Sequence, residues 1–211
     1  IYWAKVAQPY LDVALDVLVD MLLGAKFDLG EIEKERRVII EEINMIFDAP
    51  DNWVHVLINQ LVWPDHPLGR DIIGTKESVS ALDRGALLAH LERHYRPASC
   101  VISLAGNIEH EEVVEKLSNY LGDWPRREVS QYQPARDDQA QARLHVHYRD
   151  IEQAHLCFSV PALPRGHPDR FNLRVLNTVL GEGMSSRLFL EIREKRALAY
   201  SVNSYIAALQ D

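Results

Sequence analysis

The stretch from Gly122 to Gln141 sets the first limit on how this chain can fold. It carries Pro125 and Pro134, is polar and charged, and offers no apolar face at helical or strand period, so no regular element runs through it. We read residues 123–141 as a linker, residues 1–122 as a first domain, and residues 142–211 as the opening of a second. Seventy residues are few for an ordinary domain. The chain also starts on Ile1 without an initiator Met, and a strand pattern beginning near Tyr200 has no closing element before Asp211. The expectation is a fragment, cut at both ends.

Composition narrows the function classes. A hydrophobic fraction of 47% over 211 residues can bury a core. With 31 acidic against 23 basic side chains and no polybasic block, the net charge of -8 argues against nucleic acid or an anionic membrane as a partner. Cys100 and Cys157 are too few for a disulfide framework and form no C-x-x-C pair, which favours a reducing compartment. The apolar run from Val13 to Leu23 is interrupted by Asp16 and Asp20, so nothing reads as a bilayer span.

Within the first domain, Ile1 to Val6 is β-branched and aromatic and reads as a strand that stops at Gln8-Pro9. Apolar residues at helical spacing follow from Tyr10 to Leu23, where Gly24 ends the run. Asp28, with Glu31 three residues on, is a capping-box-like start for a helix reaching about Met45 or Phe47. Asp51 reads as the cap of a third helix through Val62, and Asp83 as the cap of one ending before Pro97. Ser99 to Ala105 is a short strand, and a helix then runs to Leu121. Beyond the linker, Leu144, Val146 and Tyr148 alternate with polar residues, as do Leu156, Phe158 and Val160, suggesting two strands. Helices near 169–180 and 186–196 follow. The expected fold is therefore α+β: helices packed on a mostly antiparallel sheet, in two domains that are both incomplete.

Four places could carry chemistry. Glu35 and Glu42 are seven residues apart, nearly two helical turns, and share a face with Ile39 between them, while Glu41 points about 100° away. Carboxylates beside an apolar stripe must be hydrated, paired or bound to a cation, and spacing alone favours a solvated face. Gly181-x-Gly183 lacks the Lys and Ser/Thr of a phosphate loop and reads as a tight turn. Arg193 at a helix end and Tyr200 at a strand start could together donate to a peptide carbonyl, or could be a surface Arg and a packed Tyr. His145 and His147 share a strand face and could hold a metal, but no third ligand lies near them in sequence.

Several strings occur in a telling order: Glu31-Ile32-Glu33-Lys34-Glu35-Arg36-Arg37-Val38-Ile39-Ile40-Glu41-Glu42-Ile43, then residues 66–75 (H-P-L-G-R-D-I-I-G-T), 94–97 (H-Y-R-P) and 105–108 (A-G-N-I), and finally residues 180–202 (L-G-E-G-M-S-S-R-L-F-L-E-I-R-E-K-R-A-L-A-Y-S-V). Together they resemble the pitrilysin/insulinase family of zinc metallopeptidases, in the small bacterial type similar to mitochondrial processing peptidase, over essentially the whole chain. The family carries an inverted motif, H-x-x-E-H, whose histidines bind Zn²⁺ and whose Glu serves as general base. No H-x-x-E-H occurs in these residues, and the resemblance puts it upstream of Ile1.

By that resemblance, Glu42 matches the third zinc ligand and Glu35 the acidic residue that supports the site from behind. Arg193 and Tyr200 match the pair that helps to hold the substrate carbonyl. The implied function is a zinc endopeptidase acting on peptides or unfolded segments in a closed chamber, with Zn²⁺ in the parent protein and none expected in this chain alone. Because the sequence keeps both Glu42 and the Arg193/Tyr200 pair, the resemblance implies a self-sufficient homodimer. The expected location is the bacterial cytoplasm, from the bacterial type it resembles and the sparse cysteines. The rival is a catalytically inactive family member serving as a structural or partner subunit; retention of Glu35 and Glu42 weighs against it.

Overall fold

Helix signals in the sequence become helices at nearly the expected places. The computed structural model describes residues 1–126, 132–135 and 139–210; residues 127–131 and 136–138 of the expected linker, and Asp211, lie outside them. After a 3-10 turn over Gln8–Tyr10, helix α1 spans Leu11–Leu23 and closes on Gly24, whose N–H donates to the Asp20 carbonyl at 2.7 Å. Helix α2 spans Leu29–Asp48, with the Asp28 carboxylate accepting from the N–H groups of Gly30 and Glu31 at 2.8 and 3.3 Å. Helix α3, Pro50–Val62, starts one residue before the expected cap, because the fixed φ of proline suits a first helical turn.

Helix α4, Lys76–Ala81, has no counterpart in the sequence reading. Thr75 and Ser78 satisfy each other's backbone N–H groups in a capping box, at 2.8 and 3.1 Å. Helix α5 is Arg84–His94, capped by Asp83 at 2.7 Å from Ala86 N; α6 is His110–Leu121 and α7 is Arg170–Gly181.

The expected sheet is a correction. The described residues form helices and irregular chain, with no β-strand among them. Residues 1–6, 99–105, 144–148, 156–160 and the segment from Tyr200 carry the apolar alternation but no ladder. A strand exists only when a second chain segment accepts its hydrogen bonds, and alternation supplies a face without supplying that partner. The side chains meant for the core face are accordingly open: Val101 is 92%, Leu144 86% and Leu156 93% exposed. The α+β description does not stand for the described residues, and apolar burial is sparse. Leu15, Val79 and Val113 are the buried apolar core among them.

The chain divides into two units, Ile1–Ala49 with Asp71–Tyr132, and Pro50–Arg70 with Gln133–Asp211. In the first, α1 packs on α6, with Leu15 and Val113 the buried apolar residues of the two helices, and Lys116 on α6 reaches Asp12 on α1 at 2.6 Å. Helix α2 packs on α4, with Val79 buried. There the Arg36 guanidinium donates to the carbonyls of Val79 (2.6 Å), Ser80 (2.8 Å) and Leu82 (2.7 Å) at the C-terminal end of α4, where the Val79 carbonyl also accepts from Leu82 N at 3.3 Å. Arg84 makes the return contact, to the carbonyls of Phe27 and Lys26 at 3.0 and 3.2 Å, just before α2 begins.

In the second unit Arg143 does the same for the end of α3, donating to Leu61 and Val62 at 3.1 and 3.2 Å. The His66–Arg70 string is a turn built on close approach. His66 Nδ1 accepts from Leu68 N at 3.2 Å, Pro67 opens a 3-10 turn, and a Cβ on Gly69 would stand 2.0 Å from the Trp63 carbonyl oxygen.

Two outcomes follow from these ties. Replacing Arg36 by Met should lower stability to urea by about 1–3 kcal/mol, with Arg36→Lys in between, since it strips several carbonyls of a charged donor; a Met variant as stable as the parent would show that α4 is held otherwise. Hydrogen bonds from Lys116 to Asp12 and then Glu112 hold the ammonium's pKa above its usual value, so this tie is intact below the ordinary lysine pKa and is lost as pH rises through the higher folded value. Lys116→Met should therefore unfold at lower urea than the parent at neutral pH, followed by circular dichroism, with the gap closing as pH rises through the folded lysine value; a gap that persists at strongly alkaline pH would show that this tie is not its cause.

Candidate functional site

Helix α2 carries five glutamates, and the structure sorts them. Glu31 bonds Lys34 at 2.6 Å, Glu33 bonds Arg36 at 3.0 Å, and Glu41 accepts from Asn44 at 3.2 Å. Glu35 and Glu42 have no hydrogen bond or ion pair among the described residues, and both are exposed. Seven residues of helix separate them by about 10.5 Å along the axis, on nearly one face. The two carboxylates singled out by spacing are thus the two on α2 without a hydrogen bond or ion pair among the described residues.

A metal centre needs more than that. Among the described residues no group of three His, Cys, Asp or Glu side chains is arranged to hold a metal ion. One carboxylate fixes neither the geometry nor the affinity of zinc, so the residues present do not build a zinc site by themselves. The histidine pair does not replace it. His145 and His147 lie with ring centroids 6.5 Å apart and nearly parallel, and His147 meets the edge of Trp53 at 6.2 Å. A cavity of about 150 Å³ beside Leu57, Gln60 and Leu61 is lined by His145 and by no second titratable group.

Arg193 and Tyr200 do come together. The Arg193 guanidinium carbon lies 5.2 Å from the Tyr200 ring centroid and 4.9 Å from that of Phe189. This places it on a π-helical turn, Phe189–Glu194, and not on the α-helix the spacing suggested. Tyr200 is 84% exposed, and neither its hydroxyl nor the guanidinium has a hydrogen-bond partner among the described residues. The pair therefore presents unsatisfied N–H and O–H donors side by side, which can meet a carbonyl oxygen.

The segment after Tyr200 is pinned to the end of α7. Ser204 N donates to the Gly181 carbonyl at 3.2 Å, and Ser204 Oγ donates to Asn177 Oδ1 at 2.8 Å. Gly181 must be glycine, because a Cβ there would stand 2.5 Å from Ser204 N. At Gly183, φ is +87°, which turns the chain toward the π-helical segment. The Gly181-x-Gly183 pair is thus a turn that carries Arg193 and Tyr200.

Sequence reasoning missed a second polar cluster. His55 on α3 has Nδ1 3.3 Å from the Tyr205 hydroxyl and 3.9 Å from Cys157 Sγ. Burial pushes the Cys157 thiol pKa up, so it is a neutral, weakly reactive group. No spacing rule links residues 55, 157 and 205; only the fold brings them together.

Comparison with known proteins identifies the class. Residues 1–76 match the family model described as Insulinase (Peptidase family M16), and residues 81–211 the one described as Peptidase M16 inactive domain. The chain belongs to the M16, or insulinase, family of peptidases. Similar proteins include an uncharacterized zinc protease of Streptomyces coelicolor, 38% identical over all of this chain and 47% of that protein. Another is the uncharacterized zinc protease YmxG of Bacillus subtilis, 37% identical over all of this chain and 51% of that one. The chain spans about half the length of the curated relatives it matches. A protease from Helicobacter pylori shares the fold with a TM-score of 0.85 at 21% identity, over 98% of this chain and 51% of that one. A peptidase M16 inactive domain from Pseudomonas fluorescens does so with a TM-score of 0.76 at 18% identity, over 96% and 49%.

The glycine at the root of the Arg193 turn gives a direct check. Gly181→Ala should cost about 1–3 kcal/mol through forced separation of α7 from Ser204, whereas Gly166→Ala, which meets open space, should be nearly silent. Matching urea midpoints for the two variants would refute the close-approach reading.

Proposed function

We propose that this chain is part of a zinc-dependent endopeptidase that cleaves peptides or unfolded segments, with Glu42 contributing a zinc ligand and Arg193 with Tyr200 receiving the substrate carbonyl. The observation that carries the reading is the selective freedom of these groups. On a helix whose other glutamates are paired, Glu35 and Glu42 are not. Arg193 and Tyr200 stand together with open donors. Family membership and relatives named zinc proteases support the same assignment.

Each residue has a chemical task in this reading. Attack on a peptide carbonyl moves negative charge onto its oxygen, and fixed N–H and O–H donors aimed at that oxygen stabilise the charge as it grows. Arg193 suits this role because its guanidinium offers a planar fork of fixed N–H donors. Tyr200 adds a neutral O–H donor from the same side. Glu42 offers a carboxylate that completes a histidine-based ligand set, and Glu35, one seven-residue step away, supports that set through hydrogen bonding. The histidines of the family motif are not among these 211 residues, so the metal chemistry belongs to the full-length protein. There we expect a homodimer, enclosing its peptide substrates in a chamber.

The second reading is a catalytically inactive partner subunit, favoured by the match of residues 81–211 to a domain described as inactive. No helix among the described residues is long and apolar enough to cross a membrane, which suits either reading.

Zinc content and hydrolysis of a quenched fluorescent peptide by the full-length protein decide between them. The peptidase reading expects one zinc per chain and cleavage, loss of metal in Glu42→Gln, and a fall of about a hundredfold or more in turnover for Arg193→Ala, the scale of removing one oxyanion donor. A full-length protein that binds no zinc and leaves the peptide intact is a partner subunit.

A further inference from the structure

Backbone distortion in the second unit is concentrated around Arg193. Over Phe189–Glu194 the chain is π-helical, and Lys195 N donates to the carbonyl of Leu190, five residues back, at 3.0 Å. Ala197 then takes φ of +50°, unusual for a residue with a Cβ, with its N–H on the Arg193 carbonyl at 3.1 Å; Leu198 N follows onto Ile192 at 3.0 Å. Single π-helical turns interrupt ordinary helices rarely, and often at functional sites.

The distortion has a local result. It lays the Arg193 guanidinium against two aromatic faces at once, Phe189 at 4.9 Å and Tyr200 at 5.2 Å. No carboxylate is paired with it among the described residues. Glu191, on the same turn, is taken by Lys195 at 2.5 Å, and that ammonium holds the Glu191 carboxyl below the usual carboxylate range. The guanidinium is therefore oriented by π faces, which consume none of its N–H donors, where an ion pair would have consumed two. Tyr200 already has a place in the proposed chemistry. Phe189 has none, and carries no polar atom with which to acquire one.

We propose that Phe189 is a positioning residue: its ring holds the Arg193 guanidinium against Tyr200 so that the open donors face a peptide carbonyl. The inference rests on the carbonyl-binding reading of Arg193 and Tyr200. A long arginine side chain loses rotamer freedom when it engages a ligand, and a ring that has already restricted it removes part of that cost before the peptide arrives. Phe189 acts through Arg193 and touches neither the peptide nor the reacting atoms.

The test is a double-mutant cycle on the full-length protein, read as affinity for a fluorescein-labelled peptide by anisotropy, which needs no turnover. Phe189→Leu, which stays apolar and removes the π face with some loss of volume, should weaken binding about three- to tenfold. Phe189→Tyr, which restores the face, should return affinity to within about twofold, and thermal midpoints of all variants should stay within a few degrees. In an Arg193→Ala background, Phe189→Leu should have no further effect, which a generally structural Phe189 would not produce. An additive loss in that background, or unchanged affinity in Phe189→Leu alone, overturns the positioning role while leaving the Arg193 assignment intact. Unchanged affinity in Arg193→Ala overturns the carbonyl-binding reading and this inference with it.

Discussion

The contact on which most else depends is an arginine side chain donating to main-chain carbonyls far away in sequence. Arg36 on α2 ties off α4, Arg84 holds the chain entering α2, Arg143 closes α3, and Arg165 reaches the Ala208 carbonyl at 2.8 Å. Helix ends leave carbonyls unpaired and partially negative, and a guanidinium with several fixed donors can serve more than one of them. With so few apolar side chains buried among the described residues, these charged ties supply long-range order that a sheet or a dense core would otherwise provide.

This arrangement bears on the residues proposed to act. Helix α2 is held from both sides by Arg36 and Arg84, which leaves its free carboxylates, Glu35 and Glu42, on a fixed rod. Arg193 is the exception among the arginines discussed: it rests on rings and keeps its donors unspent. An arginine with satisfied donors is a strut, and one with open donors is available to a ligand. That contrast separates the architectural arginines from the one proposed to meet substrate.

What could be read from the sequence was local. Asp28 and Asp83 announce their helices because a cap acts within three residues, and Gly24 ends α1 for the same reason. The pairing of Glu35 with Glu42 on one face follows from helical period alone. Helix α4 was missed because its capping box uses Ser78 where the usual signature has Glu or Gln. The expected strands failed for a different reason: alternation at Leu144, Val146 and Tyr148 describes a possible face, but a ladder is a relation between segments that no single segment encodes. The role of Phe189 was hidden too, since it depends on a π-helical turn and a positive φ at Ala197 that no residue pattern announced.

The arginine ties also distribute tolerance to mutation unevenly. A carbonyl oxygen is offered by every residue, so the exposed Ser80 and Leu82 could be exchanged for many others without altering what Arg36 grips, while a lysine in place of Arg36 could serve the carbonyls only in part. Each tie is thus written at one address and read at several. A chain braced in this way can drift widely in sequence around a few fixed points and still present the same helix, at the same height, to whatever it must bind.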